Sequence, residues 1–258
     1  MQLRRFGGEI GCGDVILNCK RRCAAYRHSL QGFDAKYEDF SIVNAMLPTR
    51  YLPSFAGNTY EKRAQAFVAH LFPGTPMAKD YDQLLDKRPG KLDAVFAWHQ
   101  DMAYWPTPDI TPDTRTATFS LAIDATRRAN GCLKFISGSQ SAKALRPHVP
   151  IGTTREEAHA IAIKVDEARE VISFAEIARG DVTIHDEYVV HGSGGNETKG
   201  HRRTCVLPRG ARNGGMYCRE IAPRPRVNAV TSPPGPPAQL RPSVSHRRYG
   251  GARAEDRV

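Results

Sequence analysis

The stretch AWHQDMAYW, residues 97–105, sets a histidine and an aspartate two positions apart in a strongly aromatic segment. On an extended strand the side chains at i and i+2 leave the same face, so His99 and Asp101 converge on one point while Gln100 looks the other way. An imidazole and a carboxylate so placed have the geometry of two adjacent metal ligands. Two ligands alone hold a metal weakly, and a third must come from further along the chain. His148, His159, His185, His191 and His201 all follow in the sequence. Of these, His191 closes the apolar run YVV and opens the glycine-rich turn HGSGGN, where backbone can approach a small ligand closely. His185-Asp186-Glu187 is a rival source of ligands, but adjacent residues on a strand point to opposite faces.

The elements around these residues read mostly as strands. DAVFAWHQD, TRTATFSLAID, GCLKFISG, REVISF, DVTIHDE, YVVHGS and RRTCVLP are short runs rich in β-branched and aromatic residues. Turn chemistry separates them, in PTPDITPD, ANG, SGS, ARGD and GSGGN. Ahead of them YEKRAQAFVAHL follows Asn58-Thr59 and carries Ala64, Phe67, Val68 and Leu71 at helical spacing until Pro73-Gly74 stops it. TREEAHAIAIKVDE combines a capping box at Thr154 and Glu157 with alternating Ile161, Ile163 and Val165, which predicts a turn of helix followed by a strand. Many short strands with Gly/Pro turns point to a sandwich or barrel, of which the cupin-like jelly roll is one form.

The chain has 258 residues, enough for one substantial core. Its net charge of +10 is concentrated at the ends. Residues 1–30 hold six Lys/Arg against two acids, residues 208–258 ten against three, and the body between them 21 against 22. A neutral body argues against a nucleic-acid partner. No run of about eighteen apolar residues is present to span a membrane, and the N-terminus lacks a secretory pattern, so the expectation is a soluble cytoplasmic protein with reduced cysteines. Cys12, Cys19 and Cys23 lack the paired spacing of a zinc knuckle. After Leu207 come eight of the eighteen prolines and no lysine. The expected organisation is a poorly defined segment over 1–40, a jelly-roll domain over 41–207 and a Pro/Arg-rich disordered tail over 208–258.

Two histidines and a carboxylate with open coordination positions form the facial triad of non-haem Fe(II) oxygenases. The blocks WHQD at 98–101, NGCLKFISGS at 130–139 and GDVTIHDEYVVHGSGGN with a basic pair at 202 and 203 together resemble the phytanoyl-CoA dioxygenase family of Fe(II)/2-oxoglutarate oxygenases. The resemblance covers roughly residues 85–207. It implies a mainly β fold, a double-stranded β-helix (jelly-roll, cupin-like) core with flanking α-helices, here between irregular basic termini. It also implies that His99, Asp101 and His191 bind Fe(II), and that Arg202, eleven residues after the distal histidine, grips the distal carboxylate of the cosubstrate 2-oxoglutarate. Ser193 matches a hydroxyl that supports the same carboxylate, and Gln100 a residue that contacts the cosubstrate. The implied reaction consumes O2, hydroxylates a small organic substrate and releases succinate and CO2. An aspartate at 101, rather than a small residue that leaves room for chloride, favours hydroxylation over halogenation. Position 120 departs from the pattern, being serine where many relatives carry tryptophan.

The alternative is a catalytically inactive jelly roll that binds metal or ligand. Several residues also have plainer readings. Tyr104 and Trp105 read as pocket wall or as core, the cluster Trp98, Tyr104 and Trp105 as suited to a partly apolar substrate, Arg203 as a solvated side chain facing away from Arg202, and His148 as a loop residue. Asn196-Glu197-Thr198 matches a glycosylation sequon but reads more simply as a turn.

Overall fold

A computed structural model describes residues 2–5, 40–105, 113–151, 161–211 and 230–231. The strands in chain order are β1 (Gln2–Arg5), β2 (Phe40–Met46), β3 (Ala78–Lys79), β4 (Gln83–Lys87), β5 (Phe96–His99), β6 (Thr116–Ala122), β7 (Leu133–Ile136), β8 (His148–Pro150), β9 (Ile161–Ile163), β10 (Ile172–Phe174), β11 (Asp181–His185), β12 (His191–Ser193), β13 (Arg202–Gly210) and β14 (Val230–Thr231). Among the described residues two α-helices, α1 (Pro48–Tyr51) and α2 (Thr59–Leu71), precede β3. The larger sheet runs β1-β11-β6-β13-β4-β2-β14 with β3 attached to β13, the smaller runs β10-β7-β12-β5, and β8-β9 form a separate hairpin. From β4 onward the chain crosses repeatedly between the two main sheets. β4, β6, β11 and β13 lie in one, β5, β7, β10 and β12 in the other, and all pair antiparallel. That alternation is the double-stranded β-helix expected from the sequence.

Helix α2 forms where the spacing predicts it. The Asn58 side chain caps it by accepting the Glu61 N–H at 3.0 Å. Its face of Tyr60, Ala64 and Val68 packs on the outer side of the larger sheet, against Phe119, Leu121, Val182, Cys205 and Leu207. The Tyr60 hydroxyl donates to the Cys205 carbonyl, and Phe67 meets Phe119 edge to face. Burial of a side chain the size of Phe119 contributes about 1.5–3 kcal/mol. Every residue of β6 is buried, so both faces of this strand are covered. The face under the helix is apolar, with Ala117, Phe119 and Leu121, whereas the face inside the barrel carries Thr116, Thr118 and Ser120. A polar face turned inward calls for a polar occupant.

Several boundaries differ from the sequence expectation. β13 runs on through Pro208 to Gly210, past the boundary at Leu207, because Pro208 still pairs with Thr118 and its carbonyl accepts the Asp80 N–H. Within the segments expected to be irregular, Gln2–Arg5 pairs with β11 and Val230–Thr231 with β2. Ile161–Ile163 is a strand as expected, while the capping box at Thr154, the cysteines at 12, 19 and 23 and the remainder of the tail lie outside the described residues. No helix among the described residues is long and apolar enough to cross a membrane.

Candidate metal and cosubstrate site

β5 ends at His99, and Asp101 opens a 3-10 turn over Asp101–Tyr104. Gln100 between them keeps extended angles, φ −120° and ψ 134°, so the two-residue geometry read from the sequence survives the end of the strand. Across the sheet, His191 on β12 pairs directly with His99. The Asp101 Oδ1 atom lies 3.8 Å from His99 Nε2 and 3.6 Å from His191 Nε2. The ligand atoms of these three residues all fall within 4.8 Å of one another, the one such cluster among the described residues.

Second contacts ready each ligand. His99 Nδ1 is 2.7 Å from the Ala97 carbonyl and His191 Nδ1 is 3.0 Å from that of Val189, so each ring donates its Nδ1 proton backward and keeps the Nε2 lone pair for a metal. Burial lowers the pKa of both imidazoles, and for His191 the other two histidines add to the effect. Burial alone would raise the Asp101 pKa, but His191, His185 and His99 outweigh it and hold the carboxyl well below its usual range. The cluster therefore presents two neutral imidazoles and one carboxylate, the donor set that suits Fe(II). The second carboxylate oxygen, Oδ2, accepts a hydrogen bond from Thr118 Oγ1 at 3.1 Å.

Arg202 and Lys87 are opposite one another on β13 and β4, and both are buried. The Lys87 ammonium nitrogen donates to Ser193 Oγ at 2.7 Å and to the Gly194 carbonyl. Ser193 stands two residues from His191 on the same face of β12, about 7 Å along the strand. Burial, and next the nearby Arg202, pull the Lys87 pKa down to about 6, and burial brings Arg202 to about 10. Among the described residues neither side chain has a carboxylate within ion-pairing distance. The inner face of the larger sheet joins this cationic pole to the metal pole, with Thr204 beside Ala122, Thr183 beside Ser120 and His185 beside Thr118. Arg202, Thr204, Thr183, Ser120 and Thr126 line a small cavity. Arg202 Nε, Thr204 Oγ1, Thr183 Oγ1 and both ring nitrogens of His185 are buried without a hydrogen-bond partner. Native interiors rarely leave so many polar atoms unpaired, and a short dicarboxylate lying from one pole to the other would meet those of Arg202, Thr204 and Thr183.

The structure thus brings His99, Asp101, His191, Ser193 and Arg202 together, and departs from the sequence reading at other residues. Gln100 does not face this cavity. Its amide donates to the carbonyls of Ala144 and Tyr188 and accepts the Arg146 N–H, which fixes the loop after β7. Trp98 lies on the outer side of the smaller sheet with Ile136, Ile163 and Val190, its indole N–H bonded to Glu167. Tyr104 does reach the site, edge-on to His99 at 5.8 Å and 39% exposed. Arg203 is not simply solvated, since it makes a bidentate pair with Asp124 at 2.7 and 2.8 Å. His148 Nε2 accepts the Gln100 backbone N–H. The buried Asn196 amide binds the carbonyls of Lys87 and Gly200, which makes it a turn anchor. Gly195 serves the turn rather than a ligand, because a Cβ there would stand 2.1 Å from the Leu92 carbonyl oxygen. Lys87 was missed, and His185 was set aside as a ligand although the polar residues alternating with apolar ones in DVTIH mark the inner face.

Comparison with known proteins bears on this geometry. Residues 31–204 match the model of the phytanoyl-CoA dioxygenase (PhyH) family. A Caenorhabditis elegans protein described as a probable phytanoyl-CoA dioxygenase is 29% identical over 135 residues, which take in 51% of this chain and 42% of that protein, less than half its length. Among solved structures, EvdO2 from Micromonospora carbonacea var. aurantiaca, complexed with 2-oxoglutarate, is similar with a TM-score of 0.61 at 19% identity, over 79% of this chain and 87% of that one. The epimerase SnoN, complexed with Fe3+, alpha ketoglutarate and nogalamycin RO, gives 0.58 at 17% identity over 88% of each chain. At such identities the likeness is one of fold. The family match extends over more than half the sequence and contains all of His99, Asp101, His191, Ser193 and Arg202, and on that ground the chain belongs to the phytanoyl-CoA dioxygenase family.

Proposed function

We propose that this protein is a non-haem Fe(II)- and 2-oxoglutarate-dependent dioxygenase that hydroxylates a small organic substrate. The observation that carries the reading is the pairing of two poles on one inward polar face. At one stands the His99, Asp101, His191 cluster, and at the other the buried Arg202 and Lys87, which no carboxylate among the described residues answers. His99, Asp101 and His191 would hold Fe(II), leaving the remaining positions to cosubstrate and oxygen. Bound iron would couple loss of CO2 from 2-oxoglutarate, giving succinate, to oxidation of the substrate by O2.

The chain's own residues bind and orient. The planar guanidinium of Arg202 offers the distal carboxylate two parallel charge-assisted bonds, which fixes the cosubstrate's direction as well as its position. Lys87 adds a second donor and holds Ser193 at the same pole. Burial of this pole strengthens both contacts and keeps bulk water from competing. Tyr104, partly exposed beside His99, marks the side from which substrate approaches. SnoN acts as an epimerase on a comparable fold, so hydroxylation, rather than another oxidative outcome, rests here on the intact carboxylate at 101 and on the family.

The test is succinate formation. Protein reconstituted with Fe(II) and given 2-oxoglutarate in air should release succinate, slowly alone and faster with an accepted substrate, and Arg202→Ala should abolish it. A folded, iron-loaded protein that releases none across a broad panel of organic substrates would leave the non-catalytic binding protein as the better reading.

A further inference from the structure

We propose that His185 is a positioning residue for the metal centre, holding the outer oxygen of Asp101 so that the inner one faces His99 and His191. This rests on the oxygenase reading above and adds a residue to it. His185 ends β11, in the sheet opposite the two histidine ligands, and points inward beside Thr118. Its Nε2 stands 3.5 Å from Asp101 Oδ2, the oxygen that also accepts from Thr118. Its ring lies 4.4 Å from that of His191 and 5.5 Å from that of Phe135, centroid to centroid. It is 8% exposed, and neither ring nitrogen has a good hydrogen bond.

A core histidine kept only for packing would not be left with two bare nitrogens, since a phenylalanine or leucine fills such space without that cost. Among the described residues, Asp101 is the one acidic side chain within ion-pairing distance of His185. The carboxylate is thereby divided. Oδ1 faces His99 and His191, while Oδ2 is approached by two donors from the larger sheet, Thr118 from β6 and His185 from β11. Held this way, Asp101 would offer a metal its inner oxygen, with the outer one kept by its neighbours, as ligating carboxylates are in turn hydrogen-bonded elsewhere.

The experiment compares wild type, His185→Phe and His185→Gln in Co(II) titrations, read by affinity and by the ligand-field spectrum, with thermal unfolding as the control for folding. The phenylalanine variant should fold, bind Co(II) about 10–100-fold more weakly and show a changed spectrum as the carboxylate turns. Glutamine, which can still donate toward Oδ2, should recover most of the affinity and the wild-type spectrum. Affinity and spectrum unchanged in the phenylalanine variant would overturn the proposal while leaving the metal site intact. A spectrum showing one ligand fewer in both variants would overturn it in favour of direct coordination by His185. Wild type that binds no Co(II) would remove the oxygenase reading itself, and this inference with it.

Discussion

Lys87→Met gives the sharpest test of the cationic pole. The lysine is fully buried, and burial with the neighbouring Arg202 brings its pKa from 10.5 to about 6. In the unfolded chain the amine is protonated near neutral pH, whereas in the folded protein it is neutral, so folding releases a proton between those two values. The unfolded state then binds more protons, and stability rises with pH from about 6 toward about 10.5. At about 1.4 kcal/mol per pH unit, three units of separation near pH 7.5 cost the wild type about 4 kcal/mol. Methionine avoids that cost but leaves Ser193 Oγ and the Gly194 carbonyl without their donor, a loss of about 2 kcal/mol. The variant should therefore be about 2 kcal/mol more stable near pH 7.5, and the advantage should shrink by about 1.4 kcal/mol for each unit of rising pH. Urea unfolding of both proteins at several pH values reads the difference directly. A difference that does not change with pH would show Lys87 already charged in the folded protein, and would refute the account of this pole. The same lysine should be recharged when a dicarboxylate binds, so near pH 8 the binding of 2-oxoglutarate should take up close to one proton in wild type and none in the variant, measured by calorimetry in buffers of different ionisation enthalpy.

Arg202→Lys keeps a positive charge but loses the planar fork, and 2-oxoglutarate affinity should fall by about 2–3 kcal/mol, or about 30–150-fold, in equilibrium binding; unchanged affinity would mean that charge alone suffices. Gln100→Leu leaves the Ala144 and Tyr188 carbonyls and the Arg146 N–H unpaired, and should cost about 2–4 kcal/mol of stability in urea unfolding while leaving 2-oxoglutarate affinity within a few-fold. A large loss of affinity without loss of stability would return Gln100 to the cosubstrate.

The candidate metal cluster was legible because strand periodicity is local. His99 and Asp101 need only an extended backbone through Gln100 to converge, and His191 needs only to lie on a strand that pairs with β5. The fold was legible for the same reason, since turn residues delimit each short strand. Lys87 was not, because nothing in its neighbourhood distinguishes it from a surface lysine. Its burial follows from β4 lying beside β13 and placing it opposite Arg202, a pairing between residues distant in sequence. His185 was set aside for pointing away from Asp186, yet the face it shares with Thr183 is the one that lines the barrel. Trp98 reversed the usual expectation for an aromatic residue beside a ligand. Alternation turns it to the outer face, where Ile163 of the β8-β9 hairpin helps cover it. Strands buried on both faces but polar on one, such as TATFSLA, carry the strongest unused signal, because such a face makes sense only if something polar occupies the interior.

The most direct test of the central claim is anaerobic titration of the apo-protein with Fe(II) and then 2-oxoglutarate, followed by visible absorption. Chelation of the 2-oxo acid by iron in this site should produce a metal-to-ligand charge-transfer band. The band should be absent in Asp101→Ala and should need far more 2-oxoglutarate to appear in Arg202→Ala. A folded wild-type protein that shows no band, or a band indifferent to both substitutions, would contradict the account.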